Sequence, residues 1–414
     1  MIFIGWNLFR GKPATLHLAV SRSWNAYGKI VATPVIAGNS AFATIGVGDQ
    51  NGFFSVFDGK TGRVLLRYNA EGEILASVLQ GDLGDGPAFV LSRRDGQVQV
   101  VRPDGVWLWK SRGDSGLTSL TARPARMMLG GVAHLILGDQ RGQVVCLEGR
   151  HGIPRWIRRD APSATSAIFA APLARDGMVF LASTRGDVFA LDAASGRDLW
   201  RGGLSNEVRA SPVLIRISPG KWGIGAVDIA GGFAVFQADD GKLVCRGRLS
   251  SGCVSSPVSL GRGAASSDSL IFTTRGGEIL RVDPATGKTR ARFIAKPGDG
   301  FRSSPVAFDA DGDGRLELLA VTSAGELLLL DGETLLPRIP PYALGGEVTA
   351  SPVVADVDGD GRLELVVALE TGEVLSLSLD ARPRPAKIDP WNPVTGFRGD
   401  ARNTGRFPST PDKE

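Results

Sequence analysis

Eight times along this chain the same phrase recurs: a short Ser-Pro-Val-like segment, an apolar run, a Gly-bounded strand, then a turn built on Asp and Gly. The clean copies are Ser211-Pro212-Val213, Ser256-Pro257-Val258, Ser304-Pro305-Val306 and Ser351-Pro352-Val353, with Thr33-Pro34-Val35 and Ala171-Pro172-Leu173 as variants. Two degenerate copies are read at Ala76-Ser77-Val78 and Ser119-Leu120-Thr121. The prolines at 172, 212, 257, 305 and 352 stand 40, 45, 48 and 47 residues apart. A period near 45 residues suits one four-stranded propeller blade.

The repeats tile the 414 residues with no Ser/Pro-rich linker or charge block between them, so one large closed domain is expected. The 55 glycines fit many tight turns between short strands better than packed helices, and no stretch carries helical periodicity. The 47 basic and 43 acidic residues are interspersed. Arg155-Trp156-Ile157-Arg158-Arg159 is the nearest thing to a basic, aromatic-interleaved stripe and reads as a solvated strand end, so no nucleic-acid partner is expected. No run is long enough to span a membrane, and Met1-Ile2-Phe3-Ile4-Gly5-Trp6 lacks the basic and apolar regions of a leader. Cys146, Cys245 and Cys253 form no CxxC, which suits a reducing compartment, although a Cys245–Cys253 bridge across a blade junction stays open. As written the sequence points to the cytoplasm, with a periplasmic or extracellular location as the alternative if a leader is missing.

One copy shows the grammar. Ala171-Pro172-Leu173 opens an inner strand, Met178 to Ala182 forms the second, Asp187 to Leu191 the third, and Asp192 to Gly196 turns into Arg197 to Trp200. Runs of four to six β-favouring residues bounded by Gly and Asp are antiparallel strands joined by hairpins. Counted this way, blades begin near Ile30, Ile74, Thr118, Ala167, Val208, Val254, Arg302 and Val348. The expected fold is all-β, a single eight-bladed propeller over residues 30–380, with seven blades as the alternative. A blade with two apolar faces cannot stand alone, so the ring must close. The last copy stops after Leu379 without a fourth strand, and Thr15 to Val20, in the N-terminal segment 1–29, is the expected supplier. Residues 381–414 form a C-terminal tail.

With these motifs the chain resembles the PQQ-like repeat propellers, mixed with FG-GAP/VCBS-type calcium blades. The resemblance rests on the Asp-x-x-x-Gly turns Asp58 to Gly62, Asp192 to Gly196 and Asp283 to Gly287, and on Trp109, Trp156 and Trp200, which are similar to the tryptophans that dock between PQQ-like blades. It extends to both ends, Trp6 to Gly11 and Trp391 through Phe397-Arg398-Gly399-Asp400 to Gly405, which are similar to a segment found beside such propellers. The resemblance implies fold more than activity, because this architecture hosts enzymes, scaffolds and receptors.

The strongest local signal is a pair of loops, Asp309-Ala310-Asp311-Gly312-Asp313-Gly314-Arg315-Leu316-Glu317 and Asp356-Val357-Asp358-Gly359-Asp360-Gly361-Arg362-Leu363-Glu364. Carboxylates from Asp309, Asp311, Asp313 and Glu317, and from Asp356, Asp358, Asp360 and Glu364, with the backbone carbonyls of Arg315 and Arg362, make the oxygen-only donor set that Ca²⁺ prefers. Mg²⁺, which needs stricter geometry, fits less well, and without a cation the crowded carboxylates repel. Each loop joins the first two strands of a blade, so the expected role of calcium is structural. Gly81 to Pro87 is a shortened third copy that lacks the closing Glu and is expected to bind nothing.

Catalytic readings find little support. The PQQ-dependent quinoprotein dehydrogenases suggested by the resemblance use adjacent cysteines, and none of the three here are adjacent, so PQQ is not expected. Gly113-Asp114-Ser115-Gly116 matches a serine-protease loop by letter, but His17, His134 and His151 lie in no triad context. The three Arg-Gly-Asp triplets, at 112–114, 185–187 and 398–400, read as turns. The expected function is a non-catalytic scaffold that binds a protein or peptide partner, monomeric by default and stiffened by two calcium loops. A quinoprotein oxidoreductase and a secreted or surface structural propeller are the alternatives.

Overall fold

The computed structural model describes residues 17–39, 42–111, 116–159, 166–261 and 267–379. Among these are 32 strands and no helix, arranged as eight four-stranded antiparallel sheets. Seven sheets are built from consecutive strands; the eighth has the order Leu18–Asn25, Glu373–Leu379, Glu364–Ala368, Val353–Ala355. The protein is therefore an eight-bladed β-propeller whose last blade, blade 8, takes its outer strand from the N-terminal side of the chain. That closing strand pairs from Leu18↔Leu379 to Asn25↔Glu373. It overlaps the expected Thr15 to Val20 only at its start and runs on to Asn25.

Alternating strands expose two apolar faces, and each face is buried against the neighbouring blade. The buried side chains fall into eight clusters, and each draws on two adjacent blades. Ile36 and Ile45 of blade 1 pack with Val353 and Val366 of blade 8, and Phe180 of blade 4 packs with Phe236 of blade 5. No blade owns a core, so the ring folds as a unit.

The Ser-Pro-Val phrase has a specific task. The backbone N–H of Ala171 donates to Ser211 Oγ at 2.9 Å, Ser211 to Ser256 Oγ, Ser256 to Ser304 Oγ and Ser304 to Ser351 Oγ, each also at 2.9 Å. Ser351 N–H then donates to Thr33 Oγ1 at 3.3 Å and Thr33 N–H to Ser77 Oγ at 3.1 Å. At these six junctions the N–H two residues before the inner strand is taken up by a hydroxyl of the next blade, and the proline that follows the donor takes a place where no ladder donor is needed. Two registers need correction. The first strands of blades 2 and 3 begin at Leu79 and Ala125, so the equivalents of Ser-Pro-Val are Ser77-Val78-Leu79 and Arg123-Pro124-Ala125 rather than Ala76-Ser77-Val78 and Ser119-Leu120-Thr121. In blade 3 a buried arginine replaces the hydroxyl, which hid the copy.

Tryptophan docking joins the blades on the outside. Trp109, Trp156 and Trp200 donate their indole N–H to Gly149, Ala193 and Ala238 of the next blade at 2.8, 2.9 and 2.8 Å. Each ring lies over the closing residue of that blade's turn. At Gly241, with φ of +71°, an added Cβ would stand 2.6 Å from the Trp200 ring, so only glycine fits. The same slot is filled in other blades by different residues. Leu66 lies against Gly105, and Trp24 of the closing strand against Gly62. Cys245 lies against Gly287 and donates its S–H to Pro284 O at 3.1 Å. Cys146, Cys245 and Cys253 are all free, so the bridge left open between the last two is not formed.

Candidate functional site

Both acidic loops stand where expected, between the first and second strands of blades 7 and 8. Their glycines have positive φ, between 75° and 86°, which lets the chain fold back so that N–H groups point at the leading carboxylate. Asp309 Oδ1 accepts from Gly312 N–H at 2.7 Å and its Oδ2 from Gly314 N–H at 2.8 Å. Asp356 repeats this with Gly359 and Gly361 at 2.7 and 3.0 Å. The closing glutamates tie the loop ends together: Glu317 Oε2 accepts from Ala310 N–H at 2.7 Å, and Glu364 Oε2 from Val357 N–H at 2.9 Å.

The two loops then diverge. In the first, carboxylate oxygens of Asp309, Asp311 and Glu317 lie within 4.8 Å of one another. Asp313 is turned away, held by the Arg315 guanidinium at 2.6 and 2.9 Å, and its carboxyl is lowered by that hydrogen bond. In the second loop it is Asp356, Asp358 and Asp360 that converge within 4.8 Å, while Glu364 stands outside that set. Arg362 donates its N–H to Asp360 Oδ1 at 2.8 Å.

Electrostatics mark both loops as short of positive charge. Burial, aided by neighbouring aspartates, pushes Glu317 up to about 7 and Glu364 up to about 8, and burial also raises Asp356. Glu364 is 2% exposed. An oxygen-only donor set of this kind fits a hard divalent cation. The positive charge near each loop comes from arginines that spacing did not reveal. Arg338 holds Asp311 and stands 4.0 Å from Glu317, and Arg22 of the closing strand lies 3.5 Å from Asp358. In the shortened loop of blade 2, Asp85 pairs with Arg150 of blade 3 at 2.9 Å, which serves its charge directly.

Among the described residues no constellation of nucleophile and base stands out. His134 is buried with Nδ1 on Val132 O at 3.0 Å, and His151 pairs with Glu148 on the surface. Burial pushes the Cys146 and Cys253 thiols up to about 12, far from a reactive thiolate. The basic run at 155–159 is tied to the neighbouring blade through Arg155 to Ala194 O and Arg158 to Asp198. Arg185-Gly186-Asp187 is a hairpin turn with Gly186 at φ of +88°. The triplets at 112–114 and 398–400, the Gly-Asp-Ser-Gly stretch and both terminal Trp segments lie outside the described residues in whole or in part. No helix of the described residues is long and apolar enough to cross a membrane.

The family model described as outer membrane protein assembly factor BamB matches residues 18–168 and again 158–297, and a second model, the FG-GAP-like repeat, matches 309–367. An outer membrane protein assembly factor BamB of Burkholderia pseudomallei is 24% identical over 292 residues, covering 66% of this chain and 68% of that one. Among solved structures, BamB from Moraxella catarrhalis superposes with a TM-score of 0.67 at 17% identity, over 87% of this chain and 100% of that chain. Quinohemoprotein alcohol dehydrogenase from Comamonas testosteroni superposes at 0.66 and 14% identity, over 89% and 77%. At such identities the superpositions speak for the fold alone. The first model spans well over half of the sequence, so the chain belongs to the PQQ-like repeat family described as outer membrane protein assembly factor BamB, and it carries an FG-GAP-like repeat across its last two blades.

Proposed function

We propose that this chain is a non-catalytic propeller that serves as a binding scaffold in outer membrane protein assembly, working in the cell envelope with a protein partner. The observation that carries this reading is the family match over residues 18–297, which joins it to proteins named for that role. A scaffold needs surfaces held rigidly, and a closed ring of eight four-stranded blades supplies them. The envelope replaces the cytoplasm as the proposed location, because the relatives' names attach them to the outer membrane.

Calcium belongs to the same reading. Asp309, Asp311 and Glu317, and Asp356, Asp358 and Asp360, would hold the two ions, which supply charge neutralisation and stiffen the hairpins. Extracellular modules of this type bind calcium at about 10⁻⁴ to 10⁻³ M, a range met outside the cytosol and not inside it. Calcium is expected to raise the melting temperature, and Asp311→Ala with Asp358→Ala to abolish the rise; an unchanged melt with and without chelator removes the metal.

A quinone-dependent oxidoreductase is the second reading, favoured by the likeness to the Comamonas dehydrogenase. Reconstitution separates the two. Added PQQ is expected to give neither a bound chromophore nor dye reduction, and crosslinking in the native envelope is expected to trap a protein partner. Quinone-dependent dye reduction by the purified chain would reverse the choice.

A further inference from the structure

Arg22 is placed by a defect in the ladder. The closing strand keeps register from Leu18 to Val20, skips at Ser21, and resumes at Arg22↔Ser376, so Ser21 turns its hydroxyl to Ser376 O at 2.9 Å. A bulge of this kind re-aims the next side chain. Arg22 Nη1 donates to Gly59 O of blade 1 at 2.8 Å and stands 3.5 Å from Asp358 Oδ2 of the second acidic loop. The loop itself leans on the same turn: a Cβ added at Gly59 would stand 2.0 Å from Val357 O. Three parts meet here, namely the closing strand, the loop of blade 8 and the first turn of blade 1.

We infer that the closing strand and a divalent cation compete for Asp358, so that cation occupancy of the second loop and closure of the ring are thermodynamically linked with opposite sign. The inference rests on the calcium reading proposed above. A cation chelated by Asp356, Asp358 and Asp360 shares the Asp358 carboxylate with the Arg22 guanidinium, and two positive charges a few ångströms apart repel. Whatever Arg22 does to cation affinity, the cation does to the docking of Arg22. The other acidic loops show the same substitution of arginine for metal. Arg338 holds Asp311 in the first, and Arg150 holds Asp85 in the shortened copy. Only in the second loop does that arginine come from the strand that seals the ring, which makes this loop the place where ion supply reaches the whole assembly.

Calorimetric calcium titration reads the effect. In a chain carrying Asp309→Asn and Asp311→Asn, so that the second loop is read alone, adding Arg22→Gln is expected to tighten calcium binding by about threefold to tenfold. Equal or weaker binding after Arg22→Gln overturns the competition and leaves the calcium reading standing. Failure of either chain to bind calcium removes both. A measurement on the unaltered protein covers the case in which the variants fail to fold: calcium is expected to speed amide hydrogen exchange at Arg22 to Asn25 relative to the blade 7 strand Glu326–Asp331. Unchanged or slower exchange there, with calcium bound, overturns the inference.

Discussion

At the residue scale, the docking slot shows how one physical requirement accepts several side chains. Trp109, Trp156 and Trp200 fill it with a ring and a hydrogen bond, Leu66 with volume alone, and Cys245 with a small thiol that keeps the donor. Trp24 fills it with the ring only. Its buried Nε1 has no hydrogen-bond partner, and Gly59 O, the counterpart of the Gly149 O that Trp109 uses, is taken by Arg22. Trp200→Ala is expected to cost about 3–5 kcal/mol, from lost burial and the cavity left behind. Trp200→Phe is expected to cost about 1 kcal/mol, the net value of one hydrogen bond. Denaturant midpoints at constant slope check both.

Glu364 gives the pH prediction at the same scale. Burial lifts its carboxyl from the ordinary 4.5 to about 8, so the folded state holds the proton more tightly than the unfolded chain. Stability from this group is complete below the unfolded value and is lost as pH rises through about 8. In chelator the melting temperature is therefore expected to fall between about pH 5 and about pH 9, and Glu364→Gln to flatten the fall. Saturating calcium is expected to remove it as well, since the ion stabilises the charged form.

At the element scale, the fold was legible wherever a strand's neighbours are its neighbours in sequence. Met178 to Ala182 and Asp187 to Leu191 fall on observed strands because alternation and Gly-bounded turns are local signals. Blade 3 was misregistered because Arg123 stands where the other blades carry a small residue, and a repeat read by its commonest letter fails at the copy that lacks it. The acidic loops were legible for the opposite reason, since all their donors lie within nine residues. Their arginines were not: Arg22 meets Asp358 only because the ring closes, and no spacing encodes that contact. The closing strand follows from counting, as one blade was a strand short. Removing residues 17–25 opens the edge of Glu373–Leu379 and strips Trp24 from its seam. The shortened chain is expected to lose its single cooperative melt and to self-associate on size exclusion. A free peptide spanning 17–25 is expected to restore both.

At the scale of the whole molecule, eight seams replace a central core, so rigidity is a property of the closed ring and is shared by every loop it carries. A scaffold built this way presents fixed surfaces at little ordering cost on binding. That suits a protein whose family is named for assembling others. The most direct measurement follows newly made outer-membrane proteins in native cells that lack this chain, with the wild-type chain restored as the control. The account predicts that folded outer-membrane protein accumulates more slowly without the chain and recovers when it returns, with no PQQ added. Unaltered accumulation, together with the loss of a quinone-dependent oxidation, would contradict it.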